Sequence, residues 1–185
     1  MATTKSTKKN STSSSRTPEQ ESALKELFID SLKDIYWAEK HLAKDLKKLS
    51  KAATSDELRA AFETHTTETQ AQVVKLEQVF ELIGEKAVAK KCEAMAGLSK
   101  EAEELTESTE EGTEVRDVAL IAAAQKVEHY EIASYGTLKT LAGVLGLPDA
   151  QALLEEILEE EKKTDILLTE LAESFINEAA ASESK

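Results

Sequence analysis

Apolar residues recur along this chain at alternating steps of four and three, the spacing that gathers them on one side of an α-helix. Four long segments carry the pattern. The first runs Phe28, Leu32, Ile35, Glu39, Leu42, Leu46, Leu49, and the second Leu58, Phe62, His65, Thr69, Gln72, Leu76, Val79, Ile83. The third contains Asp117, Ile121, Ala124, Glu128, Glu131, Tyr135, Leu138, Ala142, and the fourth Leu154, Ile157, Glu161, Thr164, Leu168, Ala172, Phe175. Each stripe is interrupted near its middle by a polar break that holds acid or histidine, and is apolar above and below that break.

Punctuation between the stripes sets the element boundaries. Pro18 with Thr17 before it opens the first helix, and Ser55 or Asp56 caps the second after the polar link KAATSDE. Gly84 is a natural stop for that helix. The connection from Glu85 to Glu114 is long; KKCEAMAGLSKEAEELTE within it reads as one or two shorter helices, and STEEGTE as a turn at Gly112. A third long helix is expected over about Val115–Val144. The fourth should start at Pro148 or Asp149 and end near Glu178, with a frayed end over 179–185. Two helical hairpins joined by a long crossover predict an all-α four-helix bundle over 19–178. Steps of four and three suit the shallow crossing of such bundles.

Composition narrows this further. Aromatic residues make up 4% and hydrophobic residues 41%, with six glycines and two prolines, which favours long helices with few turns. The first 18 residues, MATTKSTKKNSTSSSRTP, hold four basic residues and no acid or apolar run. They read as a disordered basic tail, neither secretory signal nor membrane span. The whole chain has a net charge of −13, so the part beyond the tail is more acidic still, against nucleic-acid binding by the folded domain. The single cysteine, Cys92, excludes an internal disulfide and a cysteine-based zinc site, and is compatible with a reducing, cytoplasmic setting.

The candidate chemistry lies in the interruptions. Glu39, His65, Glu128 with Glu131, and Glu161 fall mid-stripe on the four helices, and Glu68 and Asp165 follow His65 and Glu161 by three and four residues. Burying a carboxylate without compensation costs several kcal/mol, and four in one layer would exceed the ~5–15 kcal/mol net stability of a domain. No Lys or Arg shares the stripes near the breaks. Two resolutions remain: the acids bind metal cations, or several are protonated and hydrogen-bonded to one another. Carboxylates with an imidazole suit iron or manganese. Tyr36, Tyr130 and Tyr135 read first as core packing, with a redox role or hydrogen bonds to such ligands as alternatives; His41 reads as a surface residue and His129 as packing or an outer hydrogen bond. No phosphate loop, serine-nucleophile motif or dinucleotide fingerprint is present.

The segments LFIDSLKDIYWAEKHL, KCEAMAGLSKEAEELTE, EVRDVALIAAAQKVEHYEIASYGTLKTLA and LEEEKKTDILLTELA resemble the YciE/YciF family of bacterial stress proteins, also called DUF892, of the ferritin-like superfamily. The likeness spans about residues 20–178. It implies a rubrerythrin-like bundle with an extra crossover helix, a homodimer and a di-metal centre. Glu128 and Glu131 match the Glu-x-x-Glu of the third helix in such sites, and Glu39 matches the single first-helix Glu. The second helix departs from the pattern, with His65 and Glu68 in reverse of the expected Glu-x-x-His; so does the fourth, with Glu161 and Asp165 and no histidine. A site with one histidine is oxygen-rich, which makes manganese the alternative to iron. The implied function is a cytoplasmic di-iron stress protein that reacts with dioxygen or hydrogen peroxide, an oxidoreductase of ferroxidase or peroxidase type. A metal-binding or structural dimeric bundle without turnover is the alternative.

Overall fold

A computed structural model describes residues 18–183, with side chains from Ala23 onward. The basic tail expected over 1–18 lies outside the described residues except for Pro18, which opens the first helix. Helices α1 (Pro18–Ala52), α2 (Asp56–Leu82), α3 (Glu93–Ser108), α4 (Glu114–Val144) and α5 (Pro148–Leu171) follow in order. A π-helical turn, Ala172–Ile176, joins α5 to α6 (Asn177–Ser182), so the fourth long rod runs past the expected end near Glu178. No strand occurs among the described residues, and none of their helices is long and apolar enough to cross a membrane.

Local chemistry ends each rod where the chain must turn. The Ser55 side chain accepts the Leu58 amide at 3.1 Å and starts α2. At its other end Gly84 takes φ 74°, and the amides of Gly84 and Glu85 reach back to the carbonyls of Glu81 and Phe80. That paired closure requires a left-handed residue, which glycine adopts without strain. Gly146 closes α4 the same way. Thr113 caps α4 by accepting from the Arg116 amide, and the Cys92 thiol occupies the same role for α3, 3.3 Å from the Met95 amide.

The rods α1 and α2 form one hairpin and α4 and α5 the other; α2 packs on α5 and α1 on α4, and α3 lies along α4 and α1. Cross-helix bonds fix both hairpins as antiparallel, and the start of α4 lies beside the end of α1. Tyr36 bonds Glu77 while Ser50 bonds Glu63, and Gln125 bonds Asp165 while Lys139 bonds Glu155. The crossover must therefore travel the length of the bundle, which explains its 31-residue span from Ile83 to Thr113 with α3 inside it. This is the ferritin-like wiring that the hairpins and long link predict. Asp117 pins one end: its two oxygens accept the amides of Thr54 and Ser55, each at 2.7 Å. The inward acid that leads the α4 stripe thus has its partners in the α1–α2 turn.

All seven α1 stripe positions and all eight on α4 are buried, as are those of α2 except the half-buried Ile83. On the last rod the expectation fails at Phe175, which is 36% exposed, while Ile176 is fully buried. The π turn supplies one extra residue and rotates the helix face, so Ile176 takes the inward place. Replacing Ile176 by alanine should therefore cost ~2–4 kcal/mol, and Phe175→Ala about 1 kcal/mol or less. Urea denaturation of both variants reads this directly; equal costs would mean that the rod keeps an unbroken α register.

Candidate metal centre

Four rods carry their polar interruptions to one level of the core. Glu39 arrives from α1, His65 from α2, Glu128 and Glu131 from α4, and Glu161 from α5; none is more than 3% exposed. Apolar layers close both sides of this level. Leu42, Leu46, Phe62, Ala124 and Leu168 lie toward one end, and Leu32, Ile35, Leu76, Leu138 and Ile157 toward the other. Side-chain ligand atoms of His65, Glu128, Glu131 and Glu161 all fall within 4.8 Å of one another. Glu39 adjoins them and is the charged neighbour that weighs most on Glu131.

The cluster is held by neutral donors on its outer side. The Tyr135 hydroxyl, fully buried, donates to Glu39 Oε1. Gln72 Nε2 donates to Glu161 Oε1 and lies 3.3 Å from Glu160 Oε2, and Lys75 pairs with Glu160 at 2.6 Å. His65 Nδ1 has Thr164 Oγ1 at 3.5 Å and Glu68 Oε2 at 3.7 Å. His65 Nε2 points inward, 3.2 Å from Glu128 Oε1 but without hydrogen-bond alignment, and 3.9 Å from Glu161 Oε2.

What the protein leaves unpaired is more telling than what it pairs. Glu39 Oε2, Glu128 Oε2, both oxygens of Glu131, Glu161 Oε2 and His65 Nε2 are buried with no hydrogen-bond partner. Each such group costs ~1–3 kcal/mol, more if charged, and so many cannot stand together in a stable core. Either cations or protons must compensate them. Without a cation, burial pushes Glu39 up to about 7, and burial with the neighbouring acids holds Glu131 and Glu161 well above the carboxylate range. Burial works against the charged form of His65, yet Glu128 first and Glu68 and Glu161 after it keep the imidazole protonated well above its ordinary value. An oxygen-rich, inward-facing donor set with this appetite for positive charge fits a divalent metal.

Two residues expected near the cluster stand outside it. Glu68 lies at the rim with its side chain 44% exposed, in contact with His65 rather than with the acids. Asp165 turns toward α4: its Oδ1 accepts from Gln125 Nε2 at 3.2 Å and is 3.4 Å from His129 Nε2. The reason is angular. The inward face of α2 continues from His65 to Thr69 and Gln72, and that of α5 from Glu161 to Leu168, which leaves Glu68 and Asp165 on the flanks. Gln72 and Tyr135 sit squarely in the stripes, and their positions carried the signal of an inward role. Glu160 had none, because it precedes Glu161 on a neighbouring face. The other tyrosines serve packing and outer bonds: Tyr36 donates to Glu77 at 2.7 Å, and Tyr130 to Asp34 at 2.9 Å. His41 stacks on Trp37 with ring centres 4.5 Å apart.

Known proteins share this arrangement of rods. A family model described as a domain of unknown function, DUF892, matches residues 23–181. Protein YciF of Escherichia coli strain K12 is 52% identical over 158 residues, covering 85% of this chain and 95% of that protein. The crystal structure of the E. coli stress protein YciF matches with a TM-score of 0.80 at 54% identity, over 83% of this chain and 97% of that one. YcfI of Rhodopseudomonas palustris, for which a structural role has been suggested, matches with a TM-score of 0.76 at 38% identity, over 85% of this chain and 96% of its own.

The raised acid values fix the sign of the metal-free protein's pH response. A group that holds its proton more tightly when folded stabilises fully below its unfolded value, and that contribution is lost as pH rises through the folded value. Glu39 alone spans about pH 4.5 to about 7, a contribution on the order of 3 kcal/mol. Glu131, Glu161 and His65 act in the same direction. Urea denaturation of chelator-treated protein should show stability falling across this window, and less steeply in Glu39→Gln. A flat or rising profile would mean that the layer is not desolvated.

Proposed function

We propose that this chain, which belongs to the DUF892 family, holds two divalent metal ions, iron or manganese, in the layer formed by Glu39, His65, Glu128, Glu131 and Glu161, and uses them for redox chemistry on dioxygen or hydrogen peroxide. The unpaired carboxylate oxygens that face one another in a dry core carry this reading. Four carboxylates are neutralised by two divalent cations, whereas one would leave the layer strongly negative. When bound, a ferrous pair would give two electrons to one dioxygen or one hydrogen peroxide and become ferric, with two protons taken up to yield hydrogen peroxide or two waters.

The chain's own residues divide the remaining work. Glu131, with both oxygens free, can serve two ions at once. Glu39 and Glu161 each have one oxygen fixed from behind, by Tyr135 and Gln72, and one left inward. His65 brings the single nitrogen ligand, oriented through Nδ1 by Thr164 and Glu68. Apolar layers on both sides exclude water from the reacting level, which strengthens every charge interaction inside it. A second reading follows the structural role suggested for the R. palustris relative: the acids remain protonated and bind nothing.

Metal content by mass spectrometry, on protein made in iron- or manganese-supplemented medium, separates the two. The wild type should carry about two ions per chain and melt higher on anaerobic addition of Fe(II). Glu131→Leu should lose the ions while stabilising the metal-free chain, because an acid leaves a crowded layer. Absence of metal from the wild type, with no change in melting on Fe(II) addition, would overturn the proposal in favour of the structural reading. Metal uptake without oxidation by dioxygen or peroxide would limit the function to metal binding.

A further inference from the structure

The cluster is closed to solvent, so whatever oxidant reaches it needs a way in. A groove of 380 Å³ opens between α1 and α3, rimmed by Lys48 and Glu103, which pair across it at 2.9 Å. Beneath it lies a cavity of 20 Å³ between α1, α3 and α4, with Glu128 of the cluster in its wall. Asp45, Leu49, Ser99 and Ala102 line both spaces and form a wall that the open groove and the inner chamber share. By contrast, no member of the cluster lines the 490 Å³ groove between α1 and α4.

Seven of the ten residues around the inner chamber are Leu, Ala or Val, which decides what can pass. Its volume exceeds the ~10–15 Å³ that one water needs, and its polar lining is confined to Asp45, Ser99 and Glu128. At the shared wall Asp45 Oδ1 pairs with Lys48 at 2.9 Å, while Oδ2, 3.5 Å from His41 Nε2, is buried without a hydrogen bond. A hydrated cation would shed its water against this mostly hydrocarbon lining, and hydrogen peroxide would find only Asp45, Ser99 and Glu128 to replace its hydrogen bonds. Dioxygen loses neither.

We propose that this passage under α3 is the route by which dioxygen, rather than peroxide or metal ions, reaches the cluster. The inference rests on the redox reading above and selects its oxidant. It makes Ser99 and Ala102, neither of which touches the cluster, gate residues that control access rather than chemistry.

Dioxygen itself is the probe. In metal-free protein under oxygen pressure, paramagnetic relaxation of the Ala124 and Val127 methyl groups should exceed that of the likewise buried Ala38 and Ala142, by more than the few per cent of extra exposure of Ala124 and Val127 explains. Ser99→Phe and Ala102→Leu should each remove the excess. Ser99 is half-buried, so its replacement threatens folding least. In iron-loaded protein both variants should slow dioxygen-driven Fe(II) oxidation about tenfold, equivalent to ~1.4 kcal/mol, and leave Fe(II) affinity and the peroxide-driven rate unchanged. No excess relaxation at Ala124 and Val127 would overturn the passage, whether or not metal binds. Equal slowing with peroxide would overturn its selectivity. A chain that binds no iron but shows the relaxation pattern would retain the passage and refute the redox reading alone.

Discussion

Desolvated negative charge in the middle of the bundle is the constraint around which the rest is arranged. Glu39, Glu128, Glu131 and Glu161 occupy positions where the helical stripes call for leucine. A core of this size can tolerate them only because long apolar runs on either side supply the burial that the central level forgoes. Phe28, Leu32 and Ile35 before Glu39, and Leu42 and Leu46 after it, are one instance repeated on each rod. The length of the helices is thus tied to the acids: shorter rods would leave too little apolar surface to offset the layer.

The long crossover follows from the wiring. The rods that carry the five cluster residues pair as antiparallel hairpins, and α4 starts beside the end of α1, so the link between α2 and α4 travels the bundle's length. The chain uses the excursion. α3 covers the seam between α1 and α4, while Asp117 ties the start of α4 to the α1–α2 turn through two backbone amides. An acid that would otherwise add to the buried charge is placed against the positive end of α2, where a carboxylate is at home. The outer grooves and the inner chamber are the spaces left where a 16-residue helix rests on two much longer ones.

Most of this architecture was legible because helical periodicity is strict. On α1 and α4 every stripe position read from steps of three and four is buried, and the polar interruptions marked the cluster from Glu39, His65, Glu128, Glu131 and Glu161. What was not legible depends on angles finer than a stripe resolves. Glu68 and Asp165 each share a broad face with a cluster residue but sit on its flank, toward Lys163 and toward Gln125 respectively. Phe175 and Ile176 exchange roles through a π turn that no residue in AESFI announces. Glu160 joins the hydrogen-bonded surround through tertiary packing against Gln72, which a single helix cannot reveal.

The neutral residues of the layer explain how four acids can be arranged without a fifth. Gln72 lies two helical turns beyond His65 on the inward face of α2, a place where glutamate would also reach Glu161. As an amide it donates to that acid instead of repelling it. A glutamate there would add a negative charge beyond what the two proposed divalent cations neutralise. Tyr135 does the same for Glu39 from α4, and Thr164 stands by the outer nitrogen of His65 from α5. Each donor fixes one atom of a charged partner and leaves the other facing inward, so orientation is set without altering the charge balance. The departures from Glu-x-x-His on α2 and α5 therefore have a physical reading: neutral donors stand behind carboxylate oxygens where nitrogen ligands are expected, which would make the proposed centre harder without making it more negative.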